Sequence, residues 1–148
     1  MPKPFVHLHL HSQYSLLEAS CRAAQVFDKA LSFDMPAVAL TDSGNMFGAV
    51  EFYLNGKKKG VQPLLGLDAY LAPEDRFTKN EKREVNYQPN TRLVLLAQSY
   101  KGYQNLCQLS SIGYQEGFYY KPRIDWEVMQ KYSQHLMVIT VGLSVEIV

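Results

Sequence analysis

The sequence has little of what would mark an exported, membrane-bound or strongly charged protein. Its 148 residues hold two cysteines, one tryptophan and a nearly even charge, 15 Lys and Arg against 14 Asp and Glu, for a net of +1. Cys21 and Cys107 sit in apolar helical contexts without CxxC spacing, which excludes a disulfide framework and points to a cytoplasmic chain. No stretch approaches the roughly 18 uninterrupted apolar residues of a membrane span, and the start MPKPFVHLHLH lacks the apolar run of a signal peptide. No membrane partner is expected. The balanced charge excludes polyanion binding driven by net charge, so any nucleic-acid contact must be local. What is present is apolar content: at 47% hydrophobic, the chain can bury a real core.

Residues 5–11 alternate strictly, with Val6, Leu8 and Leu10 on one face and Phe5, His7, His9 and His11 on the other, which predicts a strand. Ala23, Val26, Phe27, Ala30 and Leu31 form a helical stripe, and Pro36 precedes a second strand, AVAL. The turn TDSGN then leads into a helix stopped by Gly60. Three further strands are predicted in PLLGLDAYLA, RLVLLAQ and LMVIT, with helices from Tyr100 to Glu116 and from Trp126 to Tyr132. Residues 73–90 are charged and aperiodic, and read as a long solvated loop. This alternation predicts an α/β fold of about five parallel strands with covering helices. The chain stops at GLSVEIV with no helix to cover the last strand, so a fragment of a longer protein is expected.

Three histidines at alternate positions project from one side of a strand, about 7 Å apart per step. Neutral imidazole is a common ligand for zinc, manganese or iron, so His7, His9 and His11 are candidate metal ligands. Asp42 closes the second strand, where barrel enzymes gather ligand residues; alone it reads as a turn or cap aspartate, and beside the histidines it joins the candidate site. Asp68 lies inside an apolar strand and needs a cation or donors there. Glu18, in the turn after the first strand, is placed to reach the same mouth. The segment Phe118 to Arg123 mixes aromatics with cations, which suits either nucleic-acid stacking or a buried loop in which Arg123 meets a carboxylate. Lys57, Lys58 and Lys59 are favourable charges at a helix C-terminus.

The segments FVHLHLHSQYSLLEA, ALTDSGNMFGAVEFY, LLGLDAYLAP, RLVLLAQSYKGYQNLCQL and GFYYKPRID occur in one order along the whole chain. Together they resemble the polymerase and histidinol phosphatase (PHP) domain found at the start of bacterial DNA polymerase III α subunits. The resemblance implies a distorted (β/α)7 barrel, of which residues 1–148 would be the N-terminal part, and a strand-end cluster of divalent metals that hydrolyses phosphoesters. His9, His11 and Asp42 match the family's metal motifs, and Glu18 stands where an acidic residue is usual. Ser43 replaces a histidine, Asp68 a glutamate, Arg92 a histidine and Gly142 a cysteine. Guanidinium cannot ligate a metal, but Arg92 could pair with Asp42 or Asp68 and supply the charge a metal would have brought.

Three functions follow from the resemblance. The first is a supporting domain of a DNA-directed DNA polymerase, whose own aspartates and magnesium would lie downstream, with the remainder of the polymerase chain and, through it, DNA as partners. The second is a working phosphoesterase or 3′-5′ proofreading exonuclease using zinc or manganese. The third is an interaction module that docks an exonuclease subunit. The lost donors favour the first and third, with a polar network holding weak or single metal occupancy. Arg123 is a further candidate for phosphate contact near the mouth.

Overall fold

The structure, a computed structural model, describes residues 5–79 and 90–140. Its elements are α1 (Ala23–Ser32), β1 (Ala37–Ser43), α2 (Ala49–Lys59), β2 (Gln62–Leu71), β3 (Thr91–Ala97), α3 (Tyr100–Gln115), β4 (Arg123–Ile124), α4 (Trp126–Tyr132) and β5 (Leu136–Thr140). The helices fall where the apolar spacing predicts them. Gly60, at φ 74, caps α2 in the left-handed region that only glycine enters without a Cβ penalty. Ser99 and Asp125 cap α3 and α4, each accepting a main-chain N–H three residues on.

The sheet order is β1-β2-β3-β5. β2 is central: β1 runs parallel beside it as far as Ser43↔Asp68, and β4 pairs with Tyr70 and Leu71 beyond that point. Gly66 lets the strands close, since a Cβ there would lie 2.6 Å from the Leu95 carbonyl oxygen. The expected all-parallel sheet is corrected: β3 runs antiparallel to both β2 and β5. Strands buried on both faces give the same apolar runs in either orientation. The segment between β2 and β3 has no helical pattern, and a parallel connection ordinarily needs a crossover helix.

The first predicted strand is also revised. Residues 5–11 lie extended along β1, but only His7↔Val38 forms a β-bridge. Two main-chain donors that would extend the ladder are taken by side chains, Leu10 N–H by Thr41 Oγ1 at 2.9 Å and Ser12 N–H by Asp42 Oδ1 at 2.6 Å. The fifth strand of the sheet is instead β4, too short to show a periodicity.

One sheet face is covered by helices. α1 and α2 pack Phe27 against Phe52, ring centroids 4.5 Å apart, over Val38 and Leu40. α3 and α4 bury Leu106, Leu109, Val128 and Met129 over Leu67, Leu71, Leu93 and Leu95. Fully burying side chains of this size contributes about 1.5–3 kcal/mol each. The opposite face carries Ala39, Val94 and Leu96 and, toward the C-terminal ends of β1 and β2, the polar residues Ser43 and Asp68.

Candidate metal centre

Strand parity decides which carboxylate meets the histidines. Asp42 pairs in register with Leu67 on the helix-covered face, whereas Ser43 pairs with Asp68 on the other. Asp42 therefore faces away from Asp68. It is 1% exposed, and its oxygens accept from Ser12 N–H at 2.6 Å, Ser12 Oγ at 2.8 Å and Ser15 Oγ at 2.6 Å. This carboxylate organises the turn after the histidine segment; the serines of SQYS were its sequence signal.

Asp68 is wholly buried and collects the other face. His9 Nε2 lies 2.9 Å and His11 Nε2 3.0 Å from its Oδ2, and the two ring nitrogens are 3.2 Å apart. Arg92 donates from Nη2 to the same Oδ2 at 2.5 Å and from Nε to Oδ1 at 3.1 Å. Nη2 also donates to Ser43 Oγ at 2.8 Å, and Ser43 Oγ donates to Glu18 Oε2 at 2.6 Å. Tyr70 and Lys121 approach Glu18 Oε1 at 3.3 and 3.6 Å, so both complete the mouth although the sequence did not single them out for it.

The electrostatics follow from these contacts. The Ser43 hydrogen bond, helped by Arg92, Lys121 and His11 against the effect of burial, holds the Glu18 carboxyl below the usual range. Burial works against the Arg92 charge, but its bonds to Asp68 outweigh it and raise its pKa.

Three donors on a tetrahedral zinc, each about 2.0–2.1 Å from the ion, stand roughly 3.3 Å from one another. The triangle of His9 Nε2, His11 Nε2 and Asp68 Oδ2, with sides of 2.9, 3.0 and 3.2 Å, is close to that. This donor set fits one ion. Among the described residues no second donor set adjoins it: Arg92 places a fixed positive charge on the same carboxylate oxygen, and Ser43 donates its hydroxyl to Glu18. Among the described residues, His9, His11 and Asp68 form the one group able to hold a metal. His7 lies one strand step back with its ring against Phe5, centroids 4.8 Å apart, outside the group. Arg123 is buried and donates to the main-chain carbonyls of Gly117, Arg76 and Thr78. Gly142 lies outside the described residues.

The solvated-loop reading of residues 73–90 missed a second centre. Arg76 is 8% exposed and binds Glu116 at 2.6 Å, Asp125 at 2.9 Å and Glu127 at 2.8 Å. The hydrogen bond to Glu127 leads the contacts that raise its pKa against the effect of burial.

Comparison with known proteins identifies the family of the chain and supports its fold. The chain is 46% identical over 140 residues to the DNA polymerase III subunit alpha of Chlamydia muridarum, covering 95% of this chain and 11% of that protein. It is 42% identical over 147 residues to the subunit of the same name in Aquifex aeolicus, covering 97% of this chain and 13% of that one. The chain thus spans only about a tenth of the length of the curated relatives it matches. A metal-dependent phosphoesterase structure from Bifidobacterium adolescentis superposes with a TM-score of 0.53 at 13% identity, over 74% of this chain and 33% of that one. An amidohydrolase from Chromobacterium violaceum gives 0.51 at 19% identity, over 74% and 33%. These two speak to the fold alone. The family model for the PHP domain matches residues 7–147, and the chain belongs to the PHP domain family.

Proposed function

We propose that this chain is the N-terminal PHP part of a longer replicative DNA polymerase α subunit, and that its strand-end site serves as an ion-pair lock rather than as a phosphoesterase. The observation that carries the reading is Arg92 Nη2 at 2.5 Å from the buried Asp68 Oδ2. A guanidinium there supplies fixed positive charge between the strand ends and repels an incoming cation. In this reading His9, His11 and Asp68 hold at most one zinc or manganese, which when bound would supply Lewis acidity. Ser43 links Arg92 to Glu18, whose carboxylate offsets the Arg92 charge at the mouth, Asp42 shapes the turn, and His7 and Arg123 take no part in ligation.

The finer architecture proposed is a distorted seven-stranded barrel completed by later strands. The parent chain would extend primed DNA with magnesium held by downstream aspartates, work in the cytoplasm, and offer this domain as a docking surface for an exonuclease subunit. No described helix is long and apolar enough to cross a membrane.

The second reading, a proofreading phosphoesterase, is favoured by the three-donor triangle. The full-length protein decides between them. Incubated with manganese or zinc and a labelled primer, it should leave the 3′ end intact, and His9→Ala should release no more than one tightly bound ion. Primer loss abolished by His9→Ala, or two or more ions released by that variant, would overturn the lock.

A further inference from the structure

Glu18 stands at the centre of the mouth, and the groups around it suit an anion. Ser43 Oγ donates to its Oε2 at 2.6 Å and Tyr70 Oη to its Oε1 at 3.3 Å. Arg92 Nη2 lies 3.6 Å from Oε2, Lys121 Nζ 3.6 Å from Oε1 and His11 Nδ1 3.7 Å from Oε2. Two hydroxyls and two cations, from β1, β2, β3 and the loop before β4, therefore converge on one side chain. That is the donor set of an oxyanion seat.

The donors are held more firmly than their occupant. Arg92 and Lys121 lie over the Tyr70 ring, 5.2 and 5.3 Å from its centroid, and Tyr70 is buried in β2. The Lys121 loop is clasped by its neighbours. Buried Arg123 donates from Nε to the Gly117 carbonyl at 3.0 Å, and Pro122 packs so closely on Gly44 that a Cβ there would lie 2.5 Å from its Cγ. Glu18 is tied differently. Leu16 and Leu17 beside it are 78 and 107% exposed, and Leu17 takes φ 65, the left-handed region that a Cβ disfavours. No apolar burial at 16–17 opposes withdrawal of the carboxylate.

We propose that this seat takes a phosphate group without a metal ion, and that Glu18 is its internal plug, which withdraws when the phosphate enters. A carboxylate offers two oxygens and one charge. A phosphate group offers three terminal oxygens and close to two charges, so it meets the same four donors more fully. Asp68 is already engaged by Arg92, His9 and His11, whereas Lys121 has Glu18 as its one ionic partner among the described residues. Lys121 is therefore the cation that a displaced Glu18 frees for the ligand. The inference rests on the proposed reading in which Arg92, and not a metal, supplies the charge between the strand ends.

The test is equilibrium dialysis of the full-length protein against radiolabelled inorganic phosphate in EDTA. Glu18→Ala should bind phosphate about tenfold more tightly than the unaltered protein, because the competing carboxylate is gone. Adding Lys121→Ala should remove that gain, and adding Lys121→Arg should keep it. Deoxyadenosine 5′-monophosphate, measured as the part of its binding lost with Lys121→Ala, separates the sources: tighter binding than inorganic phosphate assigns the seat to a nucleotide, and the reverse to the free anion. An unchanged affinity in Glu18→Ala with unchanged circular dichroism, or a gain that survives Lys121→Ala, would overturn the seat. A gain that appears only with added zinc and vanishes in EDTA would instead overturn the lock reading on which it stands.

Discussion

Two arginines sit among carboxylates in this molecule, and their surroundings differ in the one respect that matters for function. Arg76 joins Asp125, Glu116 and Glu127 at the corner of α3 and α4, with no imidazole nearby. Arg92 shares a single carboxylate oxygen with two imidazoles at the open ends of β1 and β2. Both guanidinium groups neutralise buried acid. Only the second does so where nitrogen donors also converge, so only there would arginine compete with a metal. The first centre is a fastener; the second, in the proposed reading, is a ligand set with a resident competitor.

Breaking the fastener should have the largest effect. Arg76→Met leaves Asp125 buried without its cation and should cost about 3 kcal/mol, since removing one partner of a buried ion pair strands the other. Glu116 and Glu127 are 40% and 79% exposed and contribute little to that figure. A lower urea midpoint at unchanged slope would show it, and an unchanged midpoint would refute the assignment.

Asp68→Asn should come next, at about 2 kcal/mol, because it removes the charged acceptor of Arg92 and both histidines. The same variant should lose any bound zinc, read by metal analysis after dialysis. Arg92→Gln sharpens the contrast between the centres. Asp68 keeps His9 and His11 as partners when Arg92, itself 31% exposed on its side chain, is lost, so the change should cost only about 1 kcal/mol, while zinc affinity rises as the competing charge leaves. Arg76→Met should produce no such gain.

The pH dependence separates the centres further. Burial pushes the Asp125 carboxyl up, but hydrogen bonds from Val128 N–H, Arg76 N–H and the Arg76 guanidinium outweigh it and hold it below its ordinary value. A carboxyl depressed in the folded state binds fewer protons than in the unfolded chain, so its stabilisation is present above the ordinary value of 3.8 and is lost as pH falls through the folded value. Arg76→Met should therefore move the acid-unfolding midpoint to higher pH, followed by circular dichroism. Smallest of all is Lys59→Ala, which removes a surface pair with Asp28 and should change stability by no more than about 0.5 kcal/mol.

Helices and turns were legible because their signals are local. Gly60 stops α2, and Ala23, Val26, Phe27 and Ala30 of the predicted stripe form the face that α1 buries, while Leu31, also placed on it, is exposed. Asp68 was legible as a buried charge in need of a partner, and Arg92 as the residue able to supply it. Asp42 was harder: only its register against Leu67 shows that it faces the helices and not the histidines. Arg76 was hidden because a charged aperiodic stretch looks solvated until acids some 40 to 50 positions later fold onto it. The antiparallel β3 was hidden because apolar strands carry no direction in their composition.

By itself, the sequence determined the four helices, four of the five described strands, the family, and the residue types able to meet at the site, since propensity, spacing and side-chain chemistry are properties of neighbouring residues. The tertiary structure decided which of those residues meet. Strand parity turned Asp42 away, register brought Asp68 under His9 and His11, and the fold returned Arg92 to the oxygen that a metal would share, because contacts between distant segments are set by packing that no local pattern encodes.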